Sequence, residues 1–470
     1  MGTIWTIITI YMAVMIGIGI YAKTKIKDST DYHLAGRRLG PIMLAGTLAA
    51  TEIGGGSSVG VASKAYGDWG LSAGWYVVSA GVGIFLVSFV APYMRRAMAT
   101  TVPEIIGKRY GKGSYVITSL LSIVSLTVLT AVQITATATI INVLTGFSMV
   151  GAILISGIGV IIYTYLGGMW SVTLTDFVQF FLIVFGFAIA IPFALSAAGG
   201  WDTVLTNLPP EQMGFTKIGW KTILGLIVLY FMTFSTGQEA VQRYYSARNE
   251  KIAVWGSVLC AALMCVYAFI PAVIGLIARA SFPSIDANNA LATVSVELLP
   301  PIIAGLLLSG VISATLSSAS GDMLGVASVY VKDIHGKFFN KNIEDQQELK
   351  LSKMIVVFTG LIAIGISMFS QQIIPLLVFA FTIRSTGPFA AYILGLMWSK
   401  ATPNAGFWSI IIGSVVGFYW QFAKEPFGIM AVVAGGTASL LTFLIVVWID
   451  HMRGVPSAPS AFDSGENISS

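Results

Sequence analysis

The chain has 470 residues, of which 56% are hydrophobic and only 10% charged, and its mean hydropathy is +0.83. A water-soluble domain carries about a quarter charged residues, so a soluble globule is excluded. The formal charge of +5 does not point to nucleic acid, because the basic residues are scattered over short loops where they read as orientation signals.

The expected architecture is an all-α membrane protein in a lipid bilayer. Runs such as Trp255 to Ala278 and Phe427 to Ile449 are long enough to cross a hydrocarbon core of about 30 Å as helices. Backbone groups there have no water to bond, which favours helices. Thr3 to Ala22 is too long for a signal peptide and lacks a basic start, so it is read as a retained first span. Further spans are expected near 41–63, 71–97, 114–144, 148–166, 172–198, 219–239, 252–278, 298–330, 354–370, 373–398, 404–422 and 428–449, thirteen in all. Cys260 and Cys265 share one apolar run, which argues against a disulfide framework.

If the N-terminus lies outside, twenty of the 26 Lys and Arg residues fall in inward segments and five in outward ones, with Arg384 inside a span. The positive-inside rule then puts the C-terminus in the cytoplasm of a multi-pass protein of the cell (plasma) membrane. Two spans carry breakers. The second contains Ala50-Thr-Glu-Ile-Gly-Gly-Gly-Ser-Ser58, and the seventh contains Phe231-Met-Thr-Phe-Ser-Thr-Gly-Gln238. Lying five spans apart and running in opposite directions, they suggest inverted five-helix repeats, each with a broken first helix. Alternatively, the glycines only let helices pack closely. The implied domains are 1–40 (first span and loop), 41–198 and 199–398 (the two repeats), 399–449 (two further spans) and 450–470 (a cytoplasmic tail).

Charges in hydrocarbon are costly and are therefore functional candidates. Glu52, Asp176, Asp322 and Arg384 stand out. Arg384 needs a counter-charge, for which Glu52 is the expected partner. Asp176 either serves the site or caps the start of the sixth span. In the ninth span Ser309, Ser313, Ser317 and Ser320 share one helix face, with Ser318 beside them. Such hydroxyls suit a hard cation such as Na+, although membrane serines also bond their own helix. There is no phosphate-cradling G-x-x-x-x-G-K-[ST] and no H-E-x-x-H, so neither an ATP-driven pump nor an enzyme is expected.

Three motifs in order resemble those of the solute:sodium symporter family, whose members include sodium/proline, pantothenate, sialic acid, galactose and choline transporters. They are Asp31-Tyr-His-Leu-Ala-Gly-Arg-Arg-Leu-Gly40, Tyr163-Thr-Tyr-Leu-Gly-Gly168 with Thr175-Asp-Phe-Val-Gln179, and Leu316-Ser-Ser-Ala-Ser-Gly-Asp-Met-Leu324 with Val331-Lys-Asp-Ile334. The resemblance implies a LeuT-like fold and sodium-coupled symport, by alternating access, of a small organic solute such as an amino acid or carboxylate. A sodium-independent or proton-coupled carrier is the alternative, and a membrane sensor a more distant one. The resemblance further implies a sodium site between the second and ninth spans, formed by the carbonyls of Ala50, Ile53 and Ala314 and the hydroxyls of Ser317 and Ser318. Asp176 matches an acidic position near a second sodium, and Glu52, Gly56, Ser57, Trp75, Tyr76, Ser79, Phe234 and Gln238 would face the solute. Gly237 stands where choline transporters carry tryptophan, which disfavours choline.

Overall fold

A computed structural model describes residues 2–24, 34–339 and 343–462, without the side chains of 16, 19, 22, 23, 167–171, 173 and 177. Lys25, Lys27, Asp31, Tyr32, His33 and Lys341, which entered the loop motif or the charge count, lie outside the described residues.

Among the described residues the regular structure is all helix, with one isolated backbone bridge between Leu39 and Ala247. In chain order the first half comprises α1 (Gly2–Lys23), α2 (Pro41–Glu52), α3 (Val61–Tyr66), α4 (Trp75–Val87), α5 (Ala91–Arg96), α6 (Val102–Thr145), α7 (Met149–Ala197) and α8 (Trp201–Asn207). The second half comprises α9 (Trp220–Thr236), α10 (Gln238–Ser246), α11 (Glu250–Tyr267), α12 (Ile270–Ser281), α13 (Ala290–Glu297) and α14 (Pro301–Ser328). It closes with α15 (Asp345–Phe369), α16 (Ile373–Ser385), α17 (Pro388–Met397), α18 (Pro403–Phe422) and α19 (Ala431–Met452). Nine helices among the described residues are long and apolar enough to cross a membrane, or eleven when the bent pairs α9/α10 and α16/α17 count as one span each.

Local chemistry sets the boundaries. Thr101 caps α6 by accepting from the Glu104 amide at 3.1 Å, while Glu104 accepts in return from the Thr100 amide at 2.9 Å, a reciprocal arrangement that satisfies donors the helix cannot. Proline opens α2, α14, α16's continuation α17, and α18, where its missing N–H has no cost. Gly146 ends α6 in the left-handed region, φ 70°, which a side chain would resist.

Three interruptions shape the middle. The second span stops at Glu52, turns through Gly54 and Gly55, and resumes as a π-helical turn, Gly56–Gly60, leading into α3. The seventh bends by 55° at Gly237, between α9 and α10. A third bend, of 50°, separates α16 from α17 at Thr386–Gly387. It falls where the sequence suggested one uninterrupted span, and Pro388 explains it, since its ring denies the helix an amide donor.

The core lies where α14 packs on α6, α7, α1 and α2, with α16 against α6 and α4 against α9. Phe185, Trp255, Val266 and Phe358 are more than half exposed, as side chains facing acyl tails rather than water should be.

Candidate ion and solute site

The break in the second span leaves backbone acceptors open. In an unbroken helix the Ala50 and Ile53 carbonyls would accept from the amides of Gly54 and Ser57, and neither of those bonds forms. The Gly55 amide turns instead to Gln133 Oε1 on α6, 2.7 Å away. Facing the break, the Ser318 hydroxyl on α14 donates to the Thr51 carbonyl at 2.7 Å. This closeness requires glycine: a Cβ on Gly54 would sit 2.7 Å from Ser318 Oγ, and one on Gly55 would sit 2.4 Å from the Ala136 Cβ. The letters of Gly56-Ser-Ser-Val-Gly60 fit the nucleophile-elbow pattern G-x-S-x-G, but an elbow needs a strand entering the turn. Here the turn is helical, and Ser58 donates to the Gly54 carbonyl at 2.9 Å.

The serine row mostly faces away from the break. Ser313 accepts from the Tyr11 hydroxyl at 2.5 Å, Ser320 lies 2.7 Å from Thr164 on α7, and Ser309 has no partner among the described residues. Ser317 donates to Asp176, leaving Ser318 as the hydroxyl that meets the break. Asp176 is not a helix cap. It lies within α7, fully buried, bonded by Thr47 as well as Ser317 and 3.5 Å from the Arg243 guanidinium. Arg243 also donates to Thr47 at 3.1 Å. Counted above among inward loop charges, Arg243 is in fact completely buried, because the bend at Gly237 directs α10 back into the bundle.

The expected pairing of Arg384 with Glu52 does not occur. Arg384 forms its ion pair with Glu239, both nearly fully buried. Glu239 was missed because it follows the Gly237 break in a polar stretch that resembles a loop end.

A cavity of ≈ 30 Å³ lies beside the break. Glu52, Gly56, Ser57 and Tyr76 line it, together with Gln133, Tyr230, Glu239, Asp322, Leu377 and Phe381. The remaining expected solute-facing residues are elsewhere. Trp75 donates to the Phe215 carbonyl at 2.9 Å and packs edge-on against Trp220. Ser79 is buried without a hydrogen-bond partner, and Phe234 packs behind Tyr230, their ring centroids 5.3 Å apart. Gln238 bridges the start of α6, accepting from the Val102 amide at 2.9 Å and donating to the Thr100 carbonyl at 3.0 Å. Among the described residues no group of three His, Cys, Asp or Glu side chains could hold a metal ion. Any cation here would rely on carbonyl and hydroxyl oxygens, the donor type that suits hard ions.

Comparison with known proteins places this geometry in context. Residues 32–413 match the model of the sodium:solute symporter family. The chain is 26% identical to the sodium/pantothenate symporter of Haemophilus influenzae, over 93% of this chain and 94% of the relative. It is 24% identical to the osmoregulated proline transporter OpuE of Bacillus subtilis, over 94% and 93% respectively. Its fold is similar to that of a substrate-bound, outward-open Na+-coupled sialic acid symporter, with TM-score 0.84, 19% identity and coverage of 97% and 99% of the two chains. It is also similar to Mhp1, a nucleobase-cation-symport-1 family transporter in a closed conformation, with TM-score 0.60, 16% identity and coverage of 90% and 95%.

Proposed function

The chain belongs to the sodium:solute symporter family, and on that premise we propose that sodium is bound where the broken second span meets α14. It is a sodium-coupled symporter of a small solute, not an enzyme. The observation that carries the site is the pair of freed carbonyls, Ala50 and Ile53, beside the Ser318 hydroxyl. Ala314 and Ser317, on the same stretch of α14, complete the proposed ligand set, Ser317 exchanging its hydrogen bond to Asp176 for the cation. Asp176 is a second candidate for a sodium site. A cation there would compete with the Arg243 guanidinium.

Counting α1 and the broken α2/α3 as spans beside the eleven gives thirteen, arranged as two inverted repeats at 41–198 and 199–398, with the N-terminus outside and the tail of 450–470 in the cytoplasm. The protein is assigned to the plasma membrane. The solute, a small organic molecule such as an amino acid or carboxylate, occupies the cavity lined by Glu52, Gly56, Ser57 and Tyr76. Sodium draws α2 and α14 together, and this difference between loaded and empty states drives alternating access.

The experiment is sodium binding to the purified chain, followed by uptake into proteoliposomes at fixed pH under an inward sodium or potassium gradient. Sodium alone is expected to stabilise the protein and to drive accumulation. Equal uptake with potassium would remove the sodium coupling.

A further inference from the structure

The middle of the bundle carries more negative charge than its own cations offset. Among the described residues it holds the carboxylates of Glu52, Asp176, Glu239 and Asp322 against the guanidiniums of Arg243 and Arg384. Glu52 is partly exposed, and the buried charges elsewhere, Arg109, Asp333, Glu348 and Asp450, lie near helix ends and each has its own partner. Arg243 is held by Asp176, and Arg384 by Glu239. Glu52 and Asp322 remain. Both line the cavity, and among the described residues no side chain donates to either. Asp322 is only 4% exposed. An independent feature points into the same space: the Tyr76 hydroxyl, on a side chain 1% exposed, lines the cavity beside Tyr230 and has no partner within hydrogen-bond distance among the described residues.

Two carboxyl groups without donors inside a membrane must either take up protons or be met by two positive charges, and the cavity they line gives cations access to them. Sodium at the break offsets one. We infer that the other is the solute itself, a small molecule bearing a primary or secondary ammonium group gripped by Glu52, Asp322 and the Tyr76 hydroxyl oxygen. This rests on the symport reading above and names its substrate class. A primary ammonium offers three N–H donors and no acceptor, matching three acceptors that otherwise go unpaired. A quaternary ammonium, with no N–H, would leave them unsatisfied. Tyr76 and Tyr230 also line the cavity, and aromatic rings attract a cation. An anion finds no such reception, since Arg384 does not line the cavity and is already held by Glu239. At ≈ 30 Å³ the cavity admits only a few waters, so the solute is compact and Leu377 and Phe381 on α16 move aside to receive it.

Matched pairs that differ only in ammonium against hydroxyl test this directly: L-alanine and L-lactate, ethanolamine and ethylene glycol, 4-aminobutyrate and 4-hydroxybutyrate. Each is titrated into the purified full chain, in sodium and separately in potassium, with thermal stabilisation as the readout. In at least one pair the ammonium member is expected to protect at a concentration lower by about tenfold or more, the loss that follows from removing a charge-assisted hydrogen bond. Asp322→Asn is expected to bring the members of that pair towards parity while sodium alone still stabilises the variant. Should Asp322→Asn not fold, Glu52→Gln is read in the same way. Hydroxyl members that protect as well as their partners would overturn the inference. So would a chain that responds to sodium but to none of the ammonium compounds, or an unchanged preference in both variants. A chain that ignores sodium would strike the proposed ion site alone, because the potassium series still ranks the pairs.

Discussion

The Ser318 hydroxyl on α14 donates to the Thr51 carbonyl across the break in the second span, 2.7 Å away. In doing so it joins the two elements between which sodium is proposed to bind. A hydroxyl that bonds a main-chain oxygen in this way can reorient its lone pairs toward a cation without moving its helix.

Replacing both hydroxyls, Ser317→Ala with Ser318→Ala, is expected to leave the protein folded, since the bond to the Thr51 carbonyl contributes about 1 kcal/mol and the bond to Asp176 about 1.5–3 kcal/mol. The sodium concentration needed for half-maximal uptake should rise by about tenfold or more, corresponding to roughly 1.4 kcal/mol of lost binding. Sodium titration of uptake checks this; an unchanged midpoint would remove the two serines from the site.

The Arg384–Glu239 pair is buried, so removing one partner strands a charge. Glu239→Gln should destabilise by about 3–5 kcal/mol. Combined with Arg384→Met, much of that loss should return. Thermal unfolding of the single and double variants decides it, and a double variant as unstable as the single would show that the pair is not the cause.

Asp176→Asn should likewise destabilise by about 3–5 kcal/mol by stranding Arg243. Adding Arg243→Gln should relieve it. If the number of sodium ions bound per chain is the same in the double variant as in the parent, the Asp176 position is structural rather than an ion site.

Gly55→Ala places a methyl 2.4 Å from the Ala136 Cβ, a clash on a rigid helix that should abolish transport and lower the melting temperature. Gly159 in α7 and Gly365 in α15 meet nothing within 4 Å. There alanine should stabilise by roughly 0.5–1 kcal/mol through better helix propensity. Melting curves of the three variants provide the comparison.

Arg109 holds the segment after α19. It donates to the Trp398 carbonyl at 2.8 Å and to the Ala458 and Pro459 carbonyls, while the Ala458 amide reaches the Ala401 carbonyl at 2.7 Å. Arg109→Ala should release that segment. Limited proteolysis is expected to cleave around Ala458 at least several-fold faster than in the parent, with the membrane bundle left intact.

Much of the architecture is legible in the residues because membrane spans announce themselves by apolar length alone. The glycines at Gly54–Gly56 mark the interruption in the sequence, although close helix packing would explain them as well, and only the structure shows that they do both. The partners of the buried charges were not legible. Which helix faces which depends on packing, so Arg384 could be recognised as needing a carboxylate without that carboxylate being identifiable. Glu239 and Arg243 were hidden for a second reason. Gln238–Ser246 is polar along most of its length, and only the 55° bend at Gly237 turns it from an apparent loop into an interior helix. The serines show a related limit: spacing places Ser313 and Ser317 on one face, but does not say that this face meets Tyr11 and Asp176 instead of the break.

The two bends in the second half are not independent of one another. Glu239 lies two residues beyond the Gly237 break, Arg384 lies just before the Thr386–Gly387 break, and a Cβ on Gly237 would strike the guanidinium carbon at 2.7 Å. The ion pair thus rivets one elbow to the other. A rocking motion that straightens either elbow must drag its companion along or tear a charge from its mate inside the bundle. The two helices are therefore geared to turn as a single crank.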